Sequence, residues 1–141
     1  MGKGNAMSEE AYILDFCRRW LPAWTGNDPD LLLSFYADDV VYIDPAHPDG
    51  LEGEAQLRPY LVKLLAANPN WVWEVVEVFP TRLGFTLKWR VTIPVGRKNL
   101  IEHGMDIVEL HNGKITRNEV FFDRSRLLEA LPKKTKKKPR K

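Results

Sequence analysis

A change of period near residue 70 constrains this chain more than any other feature. From Trp71 onward the apolar residues alternate, in four strand-like runs: Trp71–Phe79, Gly84–Pro94, Leu100–His111 and Lys114–Phe122. The breaks between them are short and carry turn residues: Pro80, Val95-Gly96-Arg97 and Asn112-Gly113. Asn-Gly between two alternating runs is a strong hairpin signal, because both residues tolerate the positive φ that a tight turn needs. The second half therefore reads as a four-stranded meander.

The first half has helical spacing. Ser8, with Glu9 and Glu10 behind it, reads as an N-cap with acids in the first turn. Ala11, Leu14, Cys17, Trp20 and Leu21 then form an apolar stripe that Gly26 ends. Asp28-Pro29 starts a second helix whose body is Leu31–Tyr36. Val40–Asp44 reads as a strand by its β-branched content, and Pro45 to Gly53 as a turn-rich loop. Glu54–Ala67 forms a third helix with Leu57, Tyr60, Leu61, Leu64 and Leu65 on one face, and Ser125–Leu131 a short last one. This order predicts an α+β fold: a cone-shaped, strongly curved, largely antiparallel sheet with N-terminal helices on its concave face, enclosing a pocket.

The bulk properties agree with one globular domain over residues 8–132. Residues 1–7 read as disordered or expression-derived. Lys133–Lys141 carries seven basic side chains and no acid, so a net charge of +2 leaves −5 for the other 132 residues. The tail reads as solvated and disordered, with no aromatic residues between its charges to suggest specific nucleic-acid binding. One cysteine excludes an internal disulfide, and three scattered histidines give no metal-ligand spacing. With no signal peptide and no apolar run of membrane length, a soluble cytoplasmic protein is expected, without cofactor, metal or membrane partner.

Two carboxyls stand out. Asp44 ends a strand on the face of Val40 and Tyr42, where strand propensity disfavours Asp, and reads as an Asx-turn cap for the loop after it. Asp106 lies mid-strand on the face of Gly104, Val108 and Leu110. A carboxyl there is costly if charged and unpaired. It either pairs with a neighbouring-strand cation such as Arg90 or Lys88, or it keeps its proton. Trp20, Tyr36, Tyr60, Trp71, Trp73 and Trp89 are pocket-wall or core candidates. His47 neighbours Asp44 in the loop, and Asn118 shares a strand face with Val120 as a polar contact for a ligand.

The element order, with Phe35-Tyr-Ala-Asp-Asp-Val40, Asp44-Pro45, Gly53 opening a helix, Met105-Asp-Ile-Val-Glu-Leu110 and Gly113-Lys-Ile-Thr116, resembles the nuclear transport factor 2-like superfamily. That group includes ketosteroid isomerases, polyketide cyclases and limonene epoxide hydrolases. The resemblance to the isomerases implies Asp44 as general base and Asp106 as a protonated, hydrogen-bond-donating acid, an arrangement for which ketosteroid isomerase is the reference case. Trp20 stands where their oxyanion-hole tyrosine falls. Arg90 falls near the catalytic arginine of the epoxide hydrolases, whose aspartates are replaced by Thr92 and Val120. The implied function is cofactor-free proton transfer, isomerisation or cyclisation on an apolar or aromatic carbonyl compound, in a homodimer. The alternative is a non-catalytic binder of a small hydrophobic ligand on the same scaffold.

Overall fold

A computed structural model describes residues 2–130, with side chains from Glu9 onward; the basic tail 133–141 lies outside the described residues. The elements are α1 (Gly2–Trp20), a 3₁₀ turn (Leu21–Trp24), α2 (Pro29–Leu33), β1 (Tyr36–Asp44), β2 (His47–Glu52), α3 (Gly53–Ala67), β3 (Val72–Pro80), β4 (Gly84–Val95), β5 (Lys98–His111), β6 (Lys114–Phe121) and α4 (Ser125–Ala130). Six strands form one curved sheet in the order β2-β1-β6-β5-β4-β3, with the N-terminal helices on its concave face. Every junction is antiparallel except β1–β6. This is the α+β cone that the alternation implied.

The meander forms as its turns require. Asn112 and Gly113 take φ of 53° and 78°, and β5 and β6 pair from Met105↔Phe121 to His111↔Lys114. The parallel junction then joins the two halves of the chain. Tyr42 stands beside Asn118, and Asn118 beside Val108, while Asp106 faces Val120 across β5–β6. Asp44, two residues beyond Tyr42, thus shares the inner face with Asp106.

That inner face is the core. Phe85, Leu87, Trp89, Val91 and Ile93 alternate inward along β4 and are buried. They belong to one apolar cluster with Phe16, Cys17 and Trp20 of α1 and Leu57, Leu61 and Leu65 of α3. Each such burial is worth about 1.5–3 kcal/mol. Among the described residues, no helix is long and apolar enough to cross a membrane.

Three local expectations are corrected. Helix α1 begins at Gly2, so Ser8 lies within it instead of capping it. Ala6, Met7, Glu9 and Glu10 are strong helix formers, and continuing the helix through Ser8 costs little. Helix α2 stops at Leu33, and Tyr36 opens β1. Asp28 caps α2 as read, accepting from Leu31 N at 3.1 Å. The segment after Pro45 is a hairpin arm and not a loop, with Val41↔Glu52, Tyr42↔Leu51 and Asp44↔His47 in register. Its Pro48 is tolerable because β2 is an edge strand, where a missing N–H faces no neighbour.

Candidate functional site

Asp44 is 7% exposed and holds four donors. Its Oδ1 accepts from the backbone N–H groups of Ala46 (2.8 Å) and His47 (3.0 Å), so the Asx-turn reading holds. Its Oδ2 accepts from the hydroxyls of Tyr42 (2.8 Å) and Tyr60 (2.5 Å). A carboxylate has about four lone-pair sites, and all four are occupied. Burial and the bond to Asp44 raise the Tyr60 phenol well above its ordinary range, so it stays protonated and donating.

Asp106 is 5% exposed and differently held. Trp89 Nε1–H donates to Oδ1 at 2.8 Å and Asn118 Nδ2–H to Oδ2 at 2.9 Å. Asn118 is itself fixed by Tyr36, whose hydroxyl donates to its Oδ1 at 2.7 Å. Among the described residues, no cation pairs with Asp106. Arg90, one candidate partner, lies exposed on the outer face with its guanidinium on Glu74, and Lys88 is exposed on that same face. Both follow Trp89 and Leu87 in alternation: those residues point in, so their neighbours point out. Burial pushes the Asp106 carboxyl up to about 6, and the two hydrogen bonds only partly offset it.

Both carboxyls stand in the wall of one cavity of about 320 Å³. Trp24, Trp71, Trp73 and Trp89 line it, with Tyr42 and Tyr60 beside Asp44. The indoles touch in sequence: Trp73 lies edge-on to Trp89 at 4.9 Å between centroids, and Trp24 and Trp71 each lie 6.0 Å from Trp73. Phe122, Arg124 and Leu127 close the C-terminal side. The volume is roughly twice the ~150 Å³ of a cavity that admits benzene, which suits a molecule of two or three rings. Among the described residues no three His, Cys, Asp or Glu side chains gather as a metal ion would require.

This arrangement has relatives. A family model for the SnoaL-like domain matches residues 17–118. The chain belongs to the SnoaL-like family. Within the nuclear transport factor 2-like superfamily, its fold is shared by a protein of ketosteroid isomerase-like fold from Catenulispora acidiphila, solved with trimethylamine. That pair has 20% identity and a TM-score of 0.71, covering 83% of this chain and 93% of the other. TerC, co-crystallised with polyporic acid, has 15% identity and a TM-score of 0.69, covering 83% and 95%. A candidate SnoaL-like polyketide cyclase from Jannaschia has 16% identity and a TM-score of 0.70, covering 86% and 92%. At these identities the likeness is one of fold. No curated protein matches this SnoaL-like chain in sequence.

The residues singled out from the SnoaL-like sequence separate into three groups. Asp44, Asp106, Tyr60, Trp89 and Val120 line the cavity. Trp20, Tyr36 and Asn118 are fully or nearly buried behind the wall; Trp20 packs edge-on to Tyr36 at 6.4 Å, and its indole N–H has no partner among the described residues. His47 sits edge-on to the Tyr60 ring at 4.3 Å, outside the cavity lining, and Arg90 is on the far face of the sheet. Cys17 is buried, and burial raises its thiol to about 12, so it is an inert core residue. Tyr42, Trp24, Phe122 and Arg124 were missed. A signal existed for the last two: continuing the alternation of Asn118 and Val120 leads to Phe122 and Arg124.

Proposed function

We propose that this SnoaL-like protein encloses a small aromatic carbonyl compound and moves a proton on the carbon beside the carbonyl, without a cofactor. One observation carries the reading: Asp106 is buried in an aromatic cavity wall with two donors, leaving lone pairs unspent, and its carboxyl titrates at about 6. A carboxyl near its working pH can both take a proton and return it. The lone pairs of Asp44 are filled, so a base at that position would first have to displace a tyrosine. Asp44 is therefore assigned to positioning Tyr42 and Tyr60, and Asp106 to proton exchange. The crystallisation of fold neighbours with trimethylamine and with polyporic acid supports a small-molecule role for the scaffold.

The test is solvent deuterium exchange at the activated methylene of 2-tetralone, followed by NMR. Wild type is expected to accelerate exchange with a midpoint near pH 6, and Asp106→Asn to lose about a hundredfold of the acceleration. Binding of the ketone with exchange no faster than buffer would reject catalysis and leave the second reading, a non-catalytic binder. The occupied lone pairs of Asp44 favour that reading, since only one carboxyl is free to react. We also infer a homodimer through the outer face of the sheet. There Met105 and Phe121 face each other across β5–β6, 37% and 52% exposed. A monomeric mass by light scattering at micromolar concentration would reject it.

A further inference from the structure

We propose that the ligand of this cavity is an aromatic carboxylate, and that Arg124 receives its charge. The inference rests on the small-molecule reading above and adds the ligand's charge and the residue that meets it.

Three arginines are half-buried among the described residues: Arg58, Arg117 and Arg124. Arg58 is held by Asp30 and Glu54, both at 2.8 Å. Arg117 is held by Glu109 at 2.9 Å and Glu119 at 2.7 Å. Arg124, which lines the cavity, has no acidic partner among the described residues. A half-buried guanidinium without an acceptor gives up hydration and gains nothing in return. Asp44 does not repair this, because its four acceptor sites are taken by Tyr42, Tyr60 and two backbone N–H groups. Arg124 is near that cluster all the same: its charge opposes the rise that burial and Asp44 impose on the Tyr60 phenol.

The cavity wall thus carries donors in surplus. Trp73, also in the wall and edge-on to Trp89, adds a buried indole N–H with no partner among the described residues. A carboxylate meets this surplus best, since its two oxygens match the paired N–H groups of a guanidinium. The indole walls then hold the rings. The ligand's reactive end lies toward Asp106. An organic ammonium would suit the indole faces and Asp106, but it would leave Arg124 unpaired and facing a like charge.

Calorimetric titration of the intact protein at pH 7.5 with three bicyclic probes of one shape decides the matter. The probes are 2-naphthoate, the neutral 2-naphthamide and 2-naphthylmethylammonium. The expected result is 2-naphthoate binding about tenfold more tightly than 2-naphthamide. In Arg124→Gln that advantage should fall to about twofold or less, with 2-naphthamide unchanged; Arg124→Lys should keep part of it. Amide and carboxylate binding equally, the ammonium binding most tightly, or an advantage that survives Arg124→Gln would each overturn the inference and leave the pocket reading standing. Failure of all three probes to bind would instead sink the pocket reading, and this inference with it.

Discussion

Two places in the cavity wall hold the same side chain in opposite ways. Asp44 is built locally: three of its four donors come from residues 42, 46 and 47, and the fourth from Tyr60 on the helix that follows. Asp106 is built by the sheet, with one donor from β4 and one from β6, 17 and 12 residues away in sequence. A locally saturated carboxylate is a fixture, because no ligand atom can approach it without evicting a donor. A carboxylate with two donors and unspent lone pairs is still open to a proton or a ligand. Burial is nearly equal at the two sites, so counting donors, and not burial, separates the structural acid from the reactive one.

The largest effect expected from this contrast is at Asp44. Replacing it by Ala strands two backbone N–H groups and two tyrosine hydroxyls, and should cost about 3–5 kcal/mol in urea unfolding. Asp44→Asn should cost only about 1 kcal/mol. Its amide oxygen still serves Ala46 and His47, and its NH₂ can donate to the tyrosine oxygens. Equal losses for the two variants would show that the four-donor description is wrong.

Asp106 should respond to pH where Asp44 responds to truncation. Its folded-state pKa, about 6, lies above the ordinary 3.8, so the native state binds the proton more tightly than the unfolded chain does. The stability of the neutral acid is then present below about pH 4 and lost as pH rises through about 6, a difference on the order of 3 kcal/mol. Asp106→Asn removes this dependence. Subtracting the variant's stability from that of wild type across pH 4–8 should leave a falling curve; a flat or rising one would refute the burial argument.

Much of this contrast was legible before any coordinates. Alternation places Asp44 with Val40 and Tyr42, and Asp106 with Gly104, Val108 and Leu110; the first three, Asp106 and Val108 are buried, and Gly104 and Leu110 are partly buried. The partners were not legible. Which residues of β4 and β6 meet Asp106 depends on register, and register is decided by turn geometry and bulges across the whole meander. Arg90 enters the pocket reading by family resemblance and as a cation for Asp106, although its neighbour Trp89 points inward and so turns Arg90 outward. The hairpin arm β2 was hidden because Pro48, Asp49 and Gly50 are turn residues that an edge strand also accepts. Arg124 lies beyond the last alternating run, which ends at Phe122.

An effect smaller than those of Asp44→Ala and of Asp106 titration tests whether the sheet-built site is as distributed as it looks. Gly104 is the cross-strand partner of Trp89. A Cβ at position 104 would overlap the six-membered ring of that indole and crowd the carbonyl oxygen of Phe121. Gly104→Ala should therefore cost about 2 kcal/mol through overpacking and displace the indole whose N–H holds Asp106. Losing a donor to the carboxylate raises its pKa further, so the midpoint of Asp106 titration, read by carboxyl ¹³C NMR, should move above 6. Trp89→Phe separates the two contributions, since it deletes the N–H without adding an overlap and should shift the midpoint in the same direction. If Gly104→Ala lowers stability while the midpoint stays in place, the glycine makes room for the ring and nothing more. Asp106 would then be held chiefly by Asn118, from β6 alone.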